Sequence, residues 1–255
     1  MSIGLEVRLR RLLPPGGRRL FAVPMDHSVS MGPISGLEDL RAAAAALVRA
    51  GADLLIVTKG AVRQVAPELG PSTYLGVHLS ASTELSPSPD RKIRVGSAGE
   101  AVRLGADLLS VQVNFGVEGE GAMLADLGAA VEEAHALGLP VLCMTYVKGA
   151  RAASASELQH AARAAADLGA DLVKVAYPGS PEALAALVRT TPVPVLLGGG
   201  LLLDDEHAAL ERIRRALDAG IAGLCAGRNL FQREPVGPFA RAVADLVHGA
   251  RSGPS

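Results

Sequence analysis

The chain has 255 residues, 49% of them hydrophobic, enough to bury a full-sized core as one large domain or two small ones. Its net charge of −1 comes from interspersed charges of both signs, which argues against a nucleic-acid face or a cationic membrane-surface helix and favours a small neutral or anionic solute. No run approaches the ~18 apolar residues of a membrane span, and the N-terminus lacks the apolar segment of roughly 7–15 residues of a secretory signal. The two cysteines, Cys143 and Cys225, sit in apolar runs suited to inert buried thiols, so the expected setting is a reduced cytoplasm.

In chain order, Ser2–Leu13 reads as an amphipathic helix ended by Pro14-Pro15-Gly16-Gly17, placed to cap a barrel bottom or meet another subunit. Strand Leu20–Asp26 and helix Leu37–Ala50 follow, then strand Leu54–Thr58 and helix Val62–Leu69. Strand Val77–Ser82 leads through a Pro/Ser loop, Leu85–Asp90, to helix Gly99–Leu104. Next come strand Leu108–Phe115, helix Met123–Leu137, strand Val141–Val147 and helix Ser156–Leu168. Strand Leu172–Tyr177, helix Pro181–Arg189, strand Val193–Leu197, helix Asp204–Ala219, strand Gly223–Gly227 and helix Pro238–His248 complete the series. The tail Ser252–Ser255 is expected to be disordered.

A phrase recurs at helix-to-strand junctions: Gly51-Ala52-Asp53-Leu54, Gly105-Ala106-Asp107-Leu108 and Gly169-Ala170-Asp171-Leu172, with a weaker copy at Gly220-Ile221-Ala222-Gly223. Each Gly suits a left-handed helix stop, and a buried strand follows at once. Eight alternations predict an α/β fold, a single (β/α)8 TIM barrel over 1–251 with a short N-terminal helix. No Gly-x-Gly-x-x-Gly opens the first helix, which lowers a dinucleotide-binding alternative.

Lys174 is the anomaly within this series. It interrupts an apolar strand, where burial disfavours the ammonium and is expected to lower the pKa, leaving an amine able to attack a carbonyl carbon. The bland alternative is a strand-end lysine that snorkels or pairs with a carboxylate. Lys59, followed by Gly at a strand end, is a weaker rival. Asp26 and Tyr146, at the ends of strands one and five, are the acid/base candidates, against a turn carboxylate and a core aromatic. His27, Ser28, Val29, Ser30 and Lys148 are candidate substrate contacts. Gly198-Gly199-Gly200 and Gly227-Arg228 follow strands seven and eight, where barrels commonly bind phosphate through backbone N–H groups and a helix N-terminus. No metal or other cofactor is expected: His135, His160, His207 and His248 fall in predicted helices away from the mouth, and only His27 and His78 lie near strands.

Several of these stretches, in order, resemble one family. They are Met25-Asp26-His27-Ser28-Val29-Ser30-Met31-Gly32-Pro33, His78-Leu79-Ser80-Ala81-Ser82-Thr83, Val113-Asn114-Phe115-Gly116, Met144-Thr145-Tyr146, Val173-Lys174 and Gly227-Arg228-Asn229. The chain resembles the archaeal-type class I aldolases, which include fructose-bisphosphate aldolases and 2-amino-3,7-dideoxy-D-threo-hept-6-ulosonate synthases, and the Asp26–Pro33 stretch is nearer the synthase branch. The resemblance implies Lys174 as Schiff-base former, Tyr146 as proton donor, Asp26 as a proton-transfer residue, phosphate on the two glycine loops, and a homo-oligomeric ring or double ring. It implies a phosphorylated keto donor, dihydroxyacetone phosphate or a deoxy-diulose phosphate, joined to an aldehyde such as L-aspartate 4-semialdehyde. Where the family tends to read Tyr-Pro-Arg-Gly this chain has Tyr146-Val147-Lys148-Gly149, and Val175-Ala176 replaces a polar pair after the lysine. Fructose-1,6-bisphosphate cleavage, thiolase-like acyl transfer and a non-catalytic phosphosugar-binding barrel are the alternatives.

Overall fold

Gly51, Gly105 and Gly169 take φ of 103°, 85° and 97° directly after helices, the left-handed turn that other residues rarely adopt. Two residues on, each aspartate of the repeat reaches sideways. Asp53 accepts the Phe21 N–H at 2.8 Å, Asp107 the Leu75 N–H at 3.0 Å and Asp171 the Val141 N–H at 2.8 Å. Each carboxylate fastens the start of one strand to the junction that launches the next. The weaker copy has no aspartate, and Gly223 there lies so close to Leu20 that a Cβ would collide with its backbone.

The computed structural model describes residues 2–149, 152–198 and 205–249; Ser252–Ser255, Gly199 and Gly200 lie outside these. Eight parallel strands form a closed ring in chain order: β1 Leu20–Pro24, β2 Leu54–Thr58, β3 Tyr74–His78, β4 Leu108–Phe115, β5 Val141–Val147, β6 Leu172–Val175, β7 Val195–Gly198 and β8 Gly223–Cys225. Pairing of Leu20–Ala22 with Gly223–Cys225 closes it. Helices between the strands cover the outside, so this is the (β/α)8 barrel that the alternation predicts.

Boundaries differ where turn chemistry intervenes. The third strand spans Tyr74–His78 rather than Val77–Ser82, and Ser80–Ala81 leaves the ring to pair antiparallel with Ile93–Arg94. Helix Val62–Leu69 is broken: its α-helical turn covers Val62–Val65, and a 3-10 turn, Ala66–Glu68, carries Pro67, which has no N–H to donate to a preceding turn of helix. Strands one, six and eight stop at Pro24, Val175 and Cys225, which leaves the residues beyond them to build the mouth.

Side chains alternate between two cores. Leu20, Ala22, Ile56, Leu142, Met144, Leu172, Leu196 and Cys225 fill the interior, while Phe21, Val23, Val57, Val173 and Val175 pack outward against helices. Helix Ile3–Leu12 closes the bottom, placing Leu12 in the inner cluster and tying Arg8 Nη1 to the Gly138 carbonyl at 3.0 Å. Because Val173 and Val175 face out, Lys174 between them must face in.

Candidate active site

Lys174 is 5% exposed and lines a mouth cavity of about 340 Å³ with Asp26, His27, His78, Tyr146 and Arg228. Alternation along β5 brings Met144 and Tyr146 to the same interior: Lys174 Nζ is 3.8 Å from Met144 Sδ and 5.5 Å from the Tyr146 ring centre. Gly198 on β7 makes room for the lysine, since a Cβ there would lie 2.8 Å from Lys174 Cε. Thr145, facing out, donates to the Lys174 carbonyl at 2.9 Å and steadies the strand pair.

Asp26 follows β1 and meets two imidazoles, with His78 Nε2 at 3.4 Å and His27 Nδ1 at 3.8 Å. Behind His78 stands Ser110, its Oγ 2.6 Å from Nδ1, which orients the ring toward Asp26. Burial acts against the Asp26 carboxylate, yet His78, His27 and Lys174 together hold its pKa below the ordinary 3.8. Burial also lowers both imidazoles, His27 to about 4 against the pull of Asp26, so both rings are neutral at pH 7. His27 packs edge-on to Phe231, and Gly227 lies against it, where a Cβ would fall 2.8 Å from His27 Cε1.

The expected lowering of the Lys174 pKa is corrected. Burial does oppose the ammonium, but Tyr146, Cys225 and Asp26 favour it and the net direction is upward. Lys174 therefore rests as an ammonium, and it becomes nucleophilic by giving up a proton inside the pocket.

Of the other predicted contacts, Val29, Ser30, Lys148 and Arg228 line the cavity, whereas Ser28 faces a neighbouring groove with Thr58 and Gln64. Gly199 and Gly200, expected on the phosphate loop, fall outside the described residues. Lys59 points outward and pairs with Glu100 at 3.2 Å. His135 and His248 bind Asp171 and Asp53 at the opposite end of the barrel, as their helical placement predicts. Both cysteines are buried and free, with burial pushing the Cys143 thiol to about 12 and Cys225 to about 11. Among the described residues no group of three or more His, Cys, Asp or Glu side chains is placed to hold a metal ion, and no helix is long and apolar enough to cross a membrane.

Residue-type reasoning had not assigned His78 with Ser110, nor Lys92, which also lines the cavity. The first pair carries a readable signal, polar side chains at inward positions of neighbouring strands, but Lys92 stands in a stretch with no period to place it.

Residues 20–233 match the DeoC/LacD family aldolase. The chain is 40% identical over 248 residues, 96% of its length and 90% of the relative's, to a 2-amino-4,5-dihydroxy-6-oxo-7-(phosphonooxy)heptanoate synthase of Streptomyces griseus. It is 38% identical over 247 residues, 96% and 92% of the two lengths, to a 2-amino-3,7-dideoxy-D-threo-hept-6-ulosonate synthase of Halobacterium salinarum. A crystal structure of an archaeal fructose 1,6-bisphosphate aldolase superposes with a TM-score of 0.83 at 29% identity, covering 96% of this chain and 99% of that one. Another structure of an archaeal fructose-1,6-bisphosphate aldolase, with the catalytic lysine covalently bound to the carbinolamine intermediate of the substrate, is similar at a TM-score of 0.83 and 28% identity, covering 96% and 100% of the two chains. With motif order, barrel and a buried inward lysine in agreement, the chain belongs to the DeoC/LacD family of aldolases and is a class I, Schiff-base-forming enzyme.

Proposed function

We propose that this barrel, residues 1–251, joins dihydroxyacetone phosphate to L-aspartate 4-semialdehyde through a Schiff base on Lys174. The observation that carries the assignment is the inward, buried Lys174 sharing one cavity with Tyr146 and Asp26, in a pocket that Gly198 leaves open. Retro-aldol logic supplies the substrates. A 2-amino-4,5-dihydroxy-6-oxo-7-(phosphonooxy)heptanoate is a β-hydroxyketone, and breaking its C4–C5 bond leaves an amino-acid aldehyde and dihydroxyacetone phosphate. The hept-6-ulosonate named for the archaeal relative shares the same amino-acid end, so the two products differ on the donor side alone.

The neutral Lys174 amine adds to the donor ketone, and the carbinolamine loses water to give an iminium. A proton leaves the adjacent carbon to form the enamine, which attacks the aldehyde carbon; the new alkoxide takes a proton, and water releases product and lysine. Tyr146 donates protons to the departing hydroxyl and to the alkoxide, and Asp26 relays them, a contribution of roughly 10²–10⁴-fold. Arg228 and the Gly198–Gly200 and Gly227 loops hold the phosphate, while His27, Val29 and Ser30 border the substrate. A homo-oligomer working in a reducing cytoplasm belongs to the same reading.

Borohydride added with dihydroxyacetone phosphate is expected to fix a three-carbon phosphate adduct on the peptide bearing Lys174, and Lys174→Arg to form none. An adduct on another lysine, or none with any phosphorylated ketone, overturns the assignment. Similarity to fructose-bisphosphate aldolases of known structure favours one rival, and steady-state cleavage of fructose 1,6-bisphosphate exceeding condensation with aspartate semialdehyde would establish it.

A further inference from the structure

The ring order sets β3 and β4 across the mouth from β7 and β8. The segment joining β3 to β4 therefore lies opposite the glycine loops, with Lys174 on the arc of wall between. This segment is a built structure. Within it Ser80–Ala81 and Ile93–Arg94 pair as a ribbon, the Glu84 N–H bonds the Ser30 carbonyl at 2.9 Å, Lys92 Nζ bonds Ser30 Oγ at 2.9 Å, and Asn114 Nδ2 bonds the Asp90 carbonyl at 2.6 Å. These ties bring Glu84, Asp90 and Lys92 to the cavity wall, where Lys148 from the end of β5 meets Asp90 at 3.0 Å.

Two amines and two carboxylates thus share one side of the pocket. A second phosphate placed there would face Asp90 and Glu84. The end of an α-amino acid, with ammonium and carboxylate on one carbon, finds an opposite charge for each.

We propose that this side of the mouth is the acceptor subsite for an α-amino-acid aldehyde, with Lys92 holding the carboxylate and Asp90 the ammonium. Lys148 keeps Asp90 in place. The assignment deepens the proposed function and rests on it. Burial draws the Lys92 pKa below its ordinary value against the pull of Asp26, and Lys148 adds to the depression despite Asp90 and Glu84, so an incoming carboxylate supplies missing counter-charge.

Two aldehydes separate the roles. Succinic semialdehyde keeps the carboxylate of L-aspartate 4-semialdehyde and lacks its amine. Lys92→Gln is expected to raise KM about tenfold or more for both, the scale of a lost charge-assisted hydrogen bond. Asp90→Asn is expected to raise KM for aspartate semialdehyde alone and leave succinic semialdehyde unchanged. Both variants are expected to form the borohydride adduct with dihydroxyacetone phosphate as fast as the parent, which also reports an intact barrel. Unchanged acceptor KM in both variants, equal effects of Asp90→Asn on the two aldehydes, or loss of the donor adduct would each overturn the subsite. Failure of the parent protein to form the adduct would instead overturn the Schiff-base reading beneath it.

Discussion

A methyl group at position 198 would press on Lys174 Cε at 2.8 Å and on the Val175 carbonyl at 3.0 Å. Gly198→Ala is therefore expected to slow adduct formation per folded molecule by about tenfold or more, since small misplacements of a nucleophile are costly, and to cost about 1–3 kcal/mol of stability through overpacking. His27 allows a stability test. Its folded pKa of about 4 lies below the ordinary 6.5, so between these values the unfolded chain binds the extra proton and stability falls as pH falls. The full effect is about 3 kcal/mol, and His78, also lowered, acts in the same sense. Asp26 has a depressed pKa and loses its contribution only below its ordinary 3.8, outside that window. Urea midpoints at pH 7 and 4.5 should differ less in His27→Gln than in the parent. At this scale the position of Lys174 was legible, because a lone charge in a buried strand must face the interior of a ring or its end. Its protonation state was not, because that depends on Asp26 and Tyr146, brought close by the closure of the ring.

The repeated Gly-Ala-Asp phrase governs the next scale. Asp107 supplies the acceptor for the Leu75 N–H, and no helix or neighbouring strand replaces it there. Asp107→Ala is expected to lower unfolding free energy by about 1–3 kcal/mol, the cost of a lost partner for a covered donor, with Asp107→Asn recovering part of it. The phrase announced helix stops and strand starts from sequence, but not the sideways reach of the carboxylate, which needs the preceding strand in place. Where local chemistry dominated, boundaries came within a few residues: Ser154, Ser180 and Asp39 cap the helices that follow them. The Ser80–Ala81 and Ile93–Arg94 ribbon escaped detection because each arm has two residues, too few for any alternation to declare itself.

Across the whole molecule, chemistry and closure occupy opposite ends. Leu12 is 3% exposed and belongs to the inner cluster at the base, far from Lys174 at the mouth. Leu12→Ala should cost about 2–5 kcal/mol, a range set by how far the base can collapse, and yet leave the rate of adduct formation per folded molecule unchanged. The count of eight alternations pointed to the barrel, because right-handed crossovers that keep one direction around the sheet bring the eighth strand back beside the first.

That meeting place is fastened differently from the stapled pairs. Three alternate pairs, β1–β2, β3–β4 and β5–β6, are held by a carboxylate, but where β8 returns to β1 the contact depends on a missing side chain, at Gly223 against Leu20. The cylinder accordingly has a zipper with its last tooth filed flat: any larger residue at 223 would wedge the first strand away from the last. On a polypeptide emerging from the ribosome, Leu20–Ala22 must wait without one of its two neighbours until Gly223–Cys225 has been made.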